Sequence, residues 1–257
     1  VGVFLMLRRV SLIGDAMAHA ILPGAAVGFI LSGLSVFAMA AGGLVTGLVI
    51  ALGAGLVARS TQLKEDASLA AFLLVSLALG VTLISVSGTN IDLLHFLFGS
   101  VLAIENATLV LVGAITSVTL VTLAIIYRPL VLECVDPGFL RSVSGVTAGV
   151  HAAFLSLVVL NLVGGFHALG TLLAVGIVIL PAVIARFWAR DIGAMVLVAV
   201  AAGAVAGLAG LLISFHAGLP SGPAIILTLG ALYAVSILFG RVGGVVRQVF
   251  PGRHLEA

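Results

Sequence analysis

The sequence predicts an all-α protein, a polytopic bundle of about eight transmembrane helices. Of its 257 residues, 62% are hydrophobic and 8% are charged, and the mean hydropathy is +1.40. A soluble domain of this composition would expose a large apolar surface to water, so a lipid bilayer is the expected solvent of the chain. Its one cysteine, Cys134, cannot form a disulfide within the chain.

Apolar stretches along the chain have the length that a membrane-spanning helix needs, which is about 20 residues. In chain order we predict helices at 12–33, 36–58, 67–87, 107–127, 145–163, 168–187, 193–214 and 222–240. Residues 1–7 are mostly apolar and are expected to be the last turns of a helix whose beginning is absent. In the sixth stretch, Pro181 is expected to kink the helix, because proline has no N–H to donate to the backbone ladder.

The positions of lysine and arginine predict which helix ends face the cytoplasm. If the chain crosses the membrane at each predicted helix, all eleven of these residues lie on the same side of the membrane. They occur before residue 12, in the connections 59–66, 128–144 and 186–192, and in the C-terminal tail. The opposite connections, 34–35, 88–106, 164–167 and 215–221, contain none. Because basic residues mark the cytoplasmic side, we expect a multi-pass inner-membrane protein with a cytoplasmic C-terminus. The basic residues lie at helix ends rather than in one patch, so no nucleic-acid partner is expected.

Small residues recur at helical spacing. Gly43 with Gly47 is one such set, and Gly203 with Gly207 and Gly210 is another. Such spacing lets helix backbones approach closely in a membrane. We expect packing within the chain here rather than a dimer interface.

Asp15 and His19 are the strongest candidates for a binding site. They are four residues apart, so a helix places them on one face, one turn from each other. An oxygen and a nitrogen ligand without sulfur suit manganese, iron or zinc. The alternative is a structural Asp–His hydrogen bond between two helices. Because ionisable residues in membrane spans usually serve a function, we favour a metal pathway.

The outer segment 88–106 is too long for a tight turn and too apolar for a solvated loop. Asp92, His95 and Glu105 are candidates for a cation entry on this segment. His167 and His216 lie on other predicted outer connections, where solvated or hydrogen-bonded histidines are more common than metal ligands.

A short helix is predicted in the cytoplasmic segment 136–145. Asp136 is a plausible N-cap, Pro137 occupies the first helical position, and Gly145 follows the end. Such a helix suits docking to a cytoplasmic partner, whereas the alternative is a turn that only reverses the chain.

Residues 7–24, which read LRRVSLIGDAMAHAILPG, look like the signature of the manganese/zinc/iron ABC permease family. Further stretches resemble family landmarks in the same order, at 97–100, 136–137 with Gly145, 180–182 with Ala185 and Arg186, and 219–222. The resemblance implies a type II importer, in which residues 1–257 form a single transmembrane permease domain that lacks most of its first helix. It also implies that Asp15 and His19 line the ion pathway. The segment 136–145, with Asp136, Pro137, Phe139, Arg141 and Gly145, would be the coupling helix.

By the same resemblance, the partners are a second permease copy, a cytoplasmic ATP-binding subunit and an extracytoplasmic metal-binding protein. The chain contains no Gly-x-x-x-x-Gly-Lys-Ser/Thr phosphate loop, so it is not expected to be an enzyme, and ATP belongs on the partner subunit. No permanently bound cofactor is expected, since the metal ion is the transported substrate. Two alternatives stay open: an ABC permease for an organic metal chelate, and a proton-coupled secondary transporter.

Overall fold

A computed structural model describes residues 1–8, 12–33, 35–61, 65–87, 104–135, 147–242 and 244–246. The described residues fold into ten major α-helices and contain no β-strand, which confirms the all-α prediction. The helices are α1 (Gly2–Leu7), α2 (Leu12–Ala20), α3 (Leu22–Ser32), α4 (Val36–Ser60), α5 (Glu65–Ser87), α6 (Asn106–Val135), α7 (Thr147–Leu169), α8 (Thr171–Arg186), α9 (Ile192–Ala217) and α10 (Ser221–Phe239).

Five of the described helices are long and apolar enough to cross a membrane. These are α4, α6, α7, α9 and α10, which contain the apolar stretches Val36–Ala58, Asn106–Val135, Thr147–Leu169, Ile192–Ala217 and Ser221–Phe239. Shorter apolar helical stretches lie at Leu22–Ser32, Ala67–Gly80 and Thr171–Arg186. Each predicted span therefore has an apolar helix, although the stretches Leu22–Ser32 and Thr171–Arg186 are short for a full crossing.

The prediction of one continuous helix over 12–33 is wrong. The chain forms α2 and α3, with Ile21 between them. Pro23 is the physical reason, because it has no N–H for the carbonyl of residue 19, which a continuous helix would use. Pro23 is instead accommodated in the first turn of α3, where a missing N–H costs little.

The outer connection predicted at 164–167 is also wrong. Helix α7 continues to Leu169, and the turn into α8 is made at Gly170, whose φ of 79° lies in the left-handed region. Glycine adopts this conformation without steric cost. Gly164, within this predicted connection, serves helix packing, since a Cβ there would lie 2.6 Å from Ile115 Cδ1 of α6.

Helix α6 is longer than predicted. It begins after Glu105, whose carbonyl accepts from Leu109 N–H at 3.0 Å, and it continues through Pro129 to Val135. Arg128 and the residues after it, predicted to be a cytoplasmic connection, are therefore helical up to Val135. This extension places Glu133 in the last turn of α6, where its side chain is buried.

The larger of two compact units spans Val10–Val175. Within it α3 packs against α4, α2 and α4 pack against α5, and α7 packs against both α4 and α6. Close helix contacts occur at glycines: a Cβ on Gly24 of α3 would meet the carbonyl oxygen of Gly42 on α4. Gly43 and Gly47 of α4 face Ile21, so this pair serves packing within the chain, as predicted.

The smaller unit comprises Val1–Arg9 and Gly176–Ala257. Its core joins α1 to the C-terminal part of α8 and to α9 through small and apolar side chains, namely Val3, Ala182, Ala185, Ala189 and Met195. Asp191 caps α9 by accepting from Ala194 N–H at 3.1 Å. Gly210 packs against Ile225 of α10, again within the chain.

Candidate functional site

Helix α2 carries both Asp15 and His19. The helix runs without interruption from Leu12 to Ala20, so these residues lie on one face, one turn apart. The side chain of His19 is half-buried, and that of Asp15 lies outside the described part of the structure. Gly14, Met17 and Ala20 are buried, and α2 packs against α4, α5 and α7. At 3.6 residues per turn, positions 15 and 19 lie on the side of α2 opposite the buried stripe of Gly14, Met17 and Ala20.

The helix ends directly after this pair. Ile21 N–H donates to the carbonyl of Met17 at 3.3 Å, and Ala25 N–H donates to the carbonyl of Ile21 at 3.1 Å. Between these bonds, the carbonyl of Ala20 accepts from the hydroxyl of Ser76 on α5 at 2.8 Å. A side chain from another helix thus satisfies a backbone group at the break, as the interior of a membrane protein requires.

Two neighbouring helices hold the break in place. A Cβ on Gly43 would lie 2.5 Å from Ile21 Cγ2, and one on Gly47 would lie 3.1 Å from Ile21 Cγ1. On the α5 side, a Cβ on Gly80 would lie 3.2 Å from the nitrogen of Pro23. Because larger residues at these positions would push the break away, the glycines fix the end of α2 that carries His19.

Helix α2 carries one carboxylate and one imidazole, which are the groups that it can offer to a metal ion. Within the described part of the chain, no group of three or more His, Cys, Asp or Glu side chains is placed to hold a metal ion. The described side chains therefore do not form a closed, permanently filled metal centre of the structural zinc type, which has four protein ligands.

The other predicted site residues fall in two groups. Asp92 and His95, and the coupling residues Asp136, Pro137, Phe139, Arg141 and Gly145, lie outside the described residues. Glu105 is described: it is exposed and immediately precedes α6.

Two histidines predicted on outer connections lie in helices instead. His167 is in the last turn of α7, and His216 is in the last turn of α9. Each Nδ1 lies near the carbonyl one turn earlier, at 2.9 Å from Val163 and 2.8 Å from Leu212 respectively. Because a carbonyl only accepts, Nδ1 donates in both rings. Within the described structure, Nε2 of His167 is buried and has no hydrogen-bond partner.

Sequence reasoning missed Glu133. Its carboxylate Oε1 lies 3.5 Å from Nδ1 of His151 on α7, and the two side chains are 6% and 10% exposed. The predicted span ended at residue 127, before the basic residue Arg128, so Glu133 fell in the predicted cytoplasmic connection 128–144. The available signal was a single carboxylate inside the apolar run LVLECV, residues 130–135.

Comparison with known proteins identifies the family. The profile of the ABC 3 transport family matches residues 1–240. The chain is 31% identical over 257 residues to the manganese transport system membrane protein MntC of Halalkalibacterium halodurans, covering 100% of this chain and 87% of that protein. It is 33% identical over 236 residues to the manganese import system permease protein ScaB of Streptococcus parasanguinis, covering 92% and 83%.

An iron-related protein and a solved structure are also similar. The chain is 30% identical to the chelated iron transport system membrane protein YfeD of Yersinia pestis over 93% of this chain and 79% of that protein. It matches PsaBC from Streptococcus pneumoniae in complex with Fab with a TM-score of 0.79 and 28% identity, covering 96% of this chain and 88% of that one. Because the profile match spans residues 1–240 and the relatives are aligned over most of their length, this multi-pass membrane protein belongs to the ABC 3 transport family.

Proposed function

We propose that the chain is the membrane permease subunit of an ATP-driven importer of a divalent transition metal ion, with manganese the first candidate. The observation that carries the proposal is the pairing of Asp15 with His19 on a helix that breaks immediately afterwards. The relatives support the substrate class, since two of them are named for manganese transport or import.

The donor set suits such a cargo. A carboxylate and an imidazole bind manganese, iron and zinc, whereas the sulfur ligands of Cys and Met would favour Cu(I). We expect a backbone oxygen to add to them, because Pro23 cannot donate to the carbonyl of His19. A second permease copy would complete the coordination by presenting the same residues across a two-fold axis.

The proposed mechanism is alternating access. An extracytoplasmic binding protein delivers the metal between two permease copies, and Asp15 and His19 hold it in passage. ATP hydrolysis on a cytoplasmic partner moves the segment 136–145, through Asp136, Pro137, Phe139, Arg141 and Gly145, and the pathway reopens inside. The chain would act in the inner membrane as a single permease domain, without catalytic residues of its own.

Metal accumulation in a transporter-deficient host tests the proposal. The host expresses the chain with its ATPase and binding protein, and cellular manganese, zinc and iron are measured for the native chain, Asp15→Asn and His19→Ala. We expect one metal to rise with the native chain and to fall by at least about tenfold in each variant at equal membrane abundance, since each loses one ligand. Asp191→Asn is the matched control, because asparagine also caps a helix and the residue is exposed.

Normal accumulation in both site variants would contradict the site, and no accumulation by an assembled native complex would contradict the cargo. In the second case a chelate becomes the candidate substrate, as the name of the YfeD relative suggests. Proteoliposomes that contain the complex can be offered free metal ions or chelated iron. Uptake of the free ion supports a metal-ion substrate, and uptake of the chelate alone supports a chelate substrate. Uptake that persists with a hydrolysis-deficient ATPase subunit would instead favour a proton-coupled transporter.

A further inference from the structure

The buried contact between Glu133 and His151 joins the end of α6 to the beginning of α7. Oε1 and Nδ1 are 3.5 Å apart, and both side chains are almost fully buried. Ionisable groups are costly to bury in a membrane protein, where they usually pair and serve a function. Two apolar side chains would pack these helices at lower cost.

Helix packing alone does not require the pair. Farther along the same antiparallel helices, the amide of Asn161 donates to the hydroxyl of Thr119 at 2.8 Å. Beyond it, Ile115 packs against Gly164. Thr119 and Glu133 are separated by about 21 Å along α6 at 1.5 Å per residue. The helices are thus held together by other contacts, and the ionisable pair is confined to one end.

That end is where the chain leaves toward the proposed coupling segment. Glu133 precedes Asp136 by three residues, and His151 follows Gly145 by six. The pair therefore links the two helix ends that flank the segment 136–145. Any force applied to that segment reaches α6 and α7 next to the pair.

Helix α4 continues the contact toward the candidate metal site. A Cβ on Gly55 would lie 3.6 Å from His151 Nε2, so the α4 backbone passes beside the imidazole. About 12 Å and 18 Å farther along α4, Gly47 and Gly43 respectively contact Ile21 at the break that follows His19. Helix α4 thus lies next to both His151 and the end of α2.

We propose that the Glu133–His151 pair is a positioning device for energy coupling, which holds together the two ends of α6 and α7 that flank the segment 136–145 and passes their movement through α4 to the Asp15–His19 helix. This inference rests on the proposed function. The two residues act on helix position and do not bind the transported ion.

Reconstituted complexes with the ATPase subunit and binding protein test this inference. Metal uptake and ATP hydrolysis are measured in the same vesicles for the native chain, Glu133→Gln, His151→Gln, and the exchanged variant Glu133→His with His151→Glu. We expect ATP hydrolysis to continue in the single variants while the metal imported per ATP falls about fivefold or more. The exchanged variant keeps one carboxylate and one imidazole, and should recover most of the native ratio.

The matched control is Asn161→Leu with Thr119→Val, which removes the polar contact from the other part of the same helix pair. It should lower thermal stability with little change in metal per ATP. An unchanged ratio in Glu133→Gln and His151→Gln overturns the inference, and so does an equal loss in the control or no recovery in a stably assembled exchanged variant. Absence of metal uptake by the native complex would instead count against the proposed function.

Discussion

At the scale of single residues, the break after Ala20 depends on a hydroxyl from another helix. Ser76 is buried and donates to the Ala20 carbonyl at 2.8 Å. Ser68, on the same helix α5, donates to the carbonyl of Ala54 at 3.1 Å. Ala54 lies inside α4, where its carbonyl also has the partner that a regular helix supplies. The two serines therefore make similar hydrogen bonds, but only the Ala54 carbonyl also accepts a regular helical hydrogen bond.

This difference predicts a difference in stability. Ser76→Ala removes the side-chain donor at the break and should lower the free energy of unfolding by about 1 kcal/mol, whereas Ser68→Ala should cost less because the Ala54 carbonyl keeps its helical bond. Thermal unfolding of the purified variants in detergent measures both. Equal losses in the two variants would show that the break places no special demand on Ser76.

The sequence was informative about Asp15 and His19 because their spacing alone places them on one helical face. It was uninformative about Glu133, whose importance depends on a partner 18 positions away on another helix. No local period links such residues, and Arg128 is a basic residue of the kind that marks the cytoplasmic end of a span. Ser76 was missed for the same reason, since serine is common in apolar helices and its acceptor is distant in sequence.

At the scale of helices, α3 and α4 approach each other at glycines. A Cβ on Gly42 would meet the carbonyl oxygen of Gly24, and one on Gly28 would lie 2.5 Å from the carbonyl oxygen of Ala38. These contacts involve backbone atoms, so a side-chain rotation cannot relieve them. Small residues at such interfaces allow the close packing that holds membrane helices together.

Gly42→Ala should therefore separate α3 from α4 and lower the free energy of unfolding by about 1–3 kcal/mol. Gly113→Ala is the matched control, because a Cβ at this exposed position of α6 would have no neighbour within 4 Å. There alanine should be neutral or stabilise by up to about 1 kcal/mol through its helix propensity. Thermal unfolding in detergent compares the two, and a neutral Gly42→Ala would contradict the close approach.

The apolar runs predicted that the helices exist, but they did not always predict the residues at which the helices end. The connection predicted at 164–167 contains Gly164 and Gly165, but Gly164 packs against Ile115 and the chain turns at Gly170. Glycine permits both a left-handed turn and a close contact, and only the neighbouring helix decides between them. Pro23 was ambiguous in the same way, because proline is tolerated in a first helical turn and not in the middle of a helix.

At the scale of the whole molecule, the charge distribution makes a prediction about orientation. Arg186, Arg190 and Arg241 lie at the ends of α8 and α10 and before α9, while the turn between α9 and α10 contains Gly218 and no basic residue. Lysine and arginine are retained on the cytoplasmic side during insertion. The turn at Gly218 should therefore face outward, and the C-terminus should face the cytoplasm.

Reporter fusions test this orientation. Alkaline phosphatase, which is active only outside the cytoplasm, should be active when fused after Gly218 and inactive when fused after Ala257. A fluorescent protein that matures in the cytoplasm should give the opposite pattern. Because α10 is the apolar helix that separates the two fusion points, opposite results also require that Ser221–Phe239 crosses the membrane. Equal activity at both points would contradict that crossing, and exchanged activities would invert the sidedness on which the cytoplasmic placement of the 136–145 coupling segment depends.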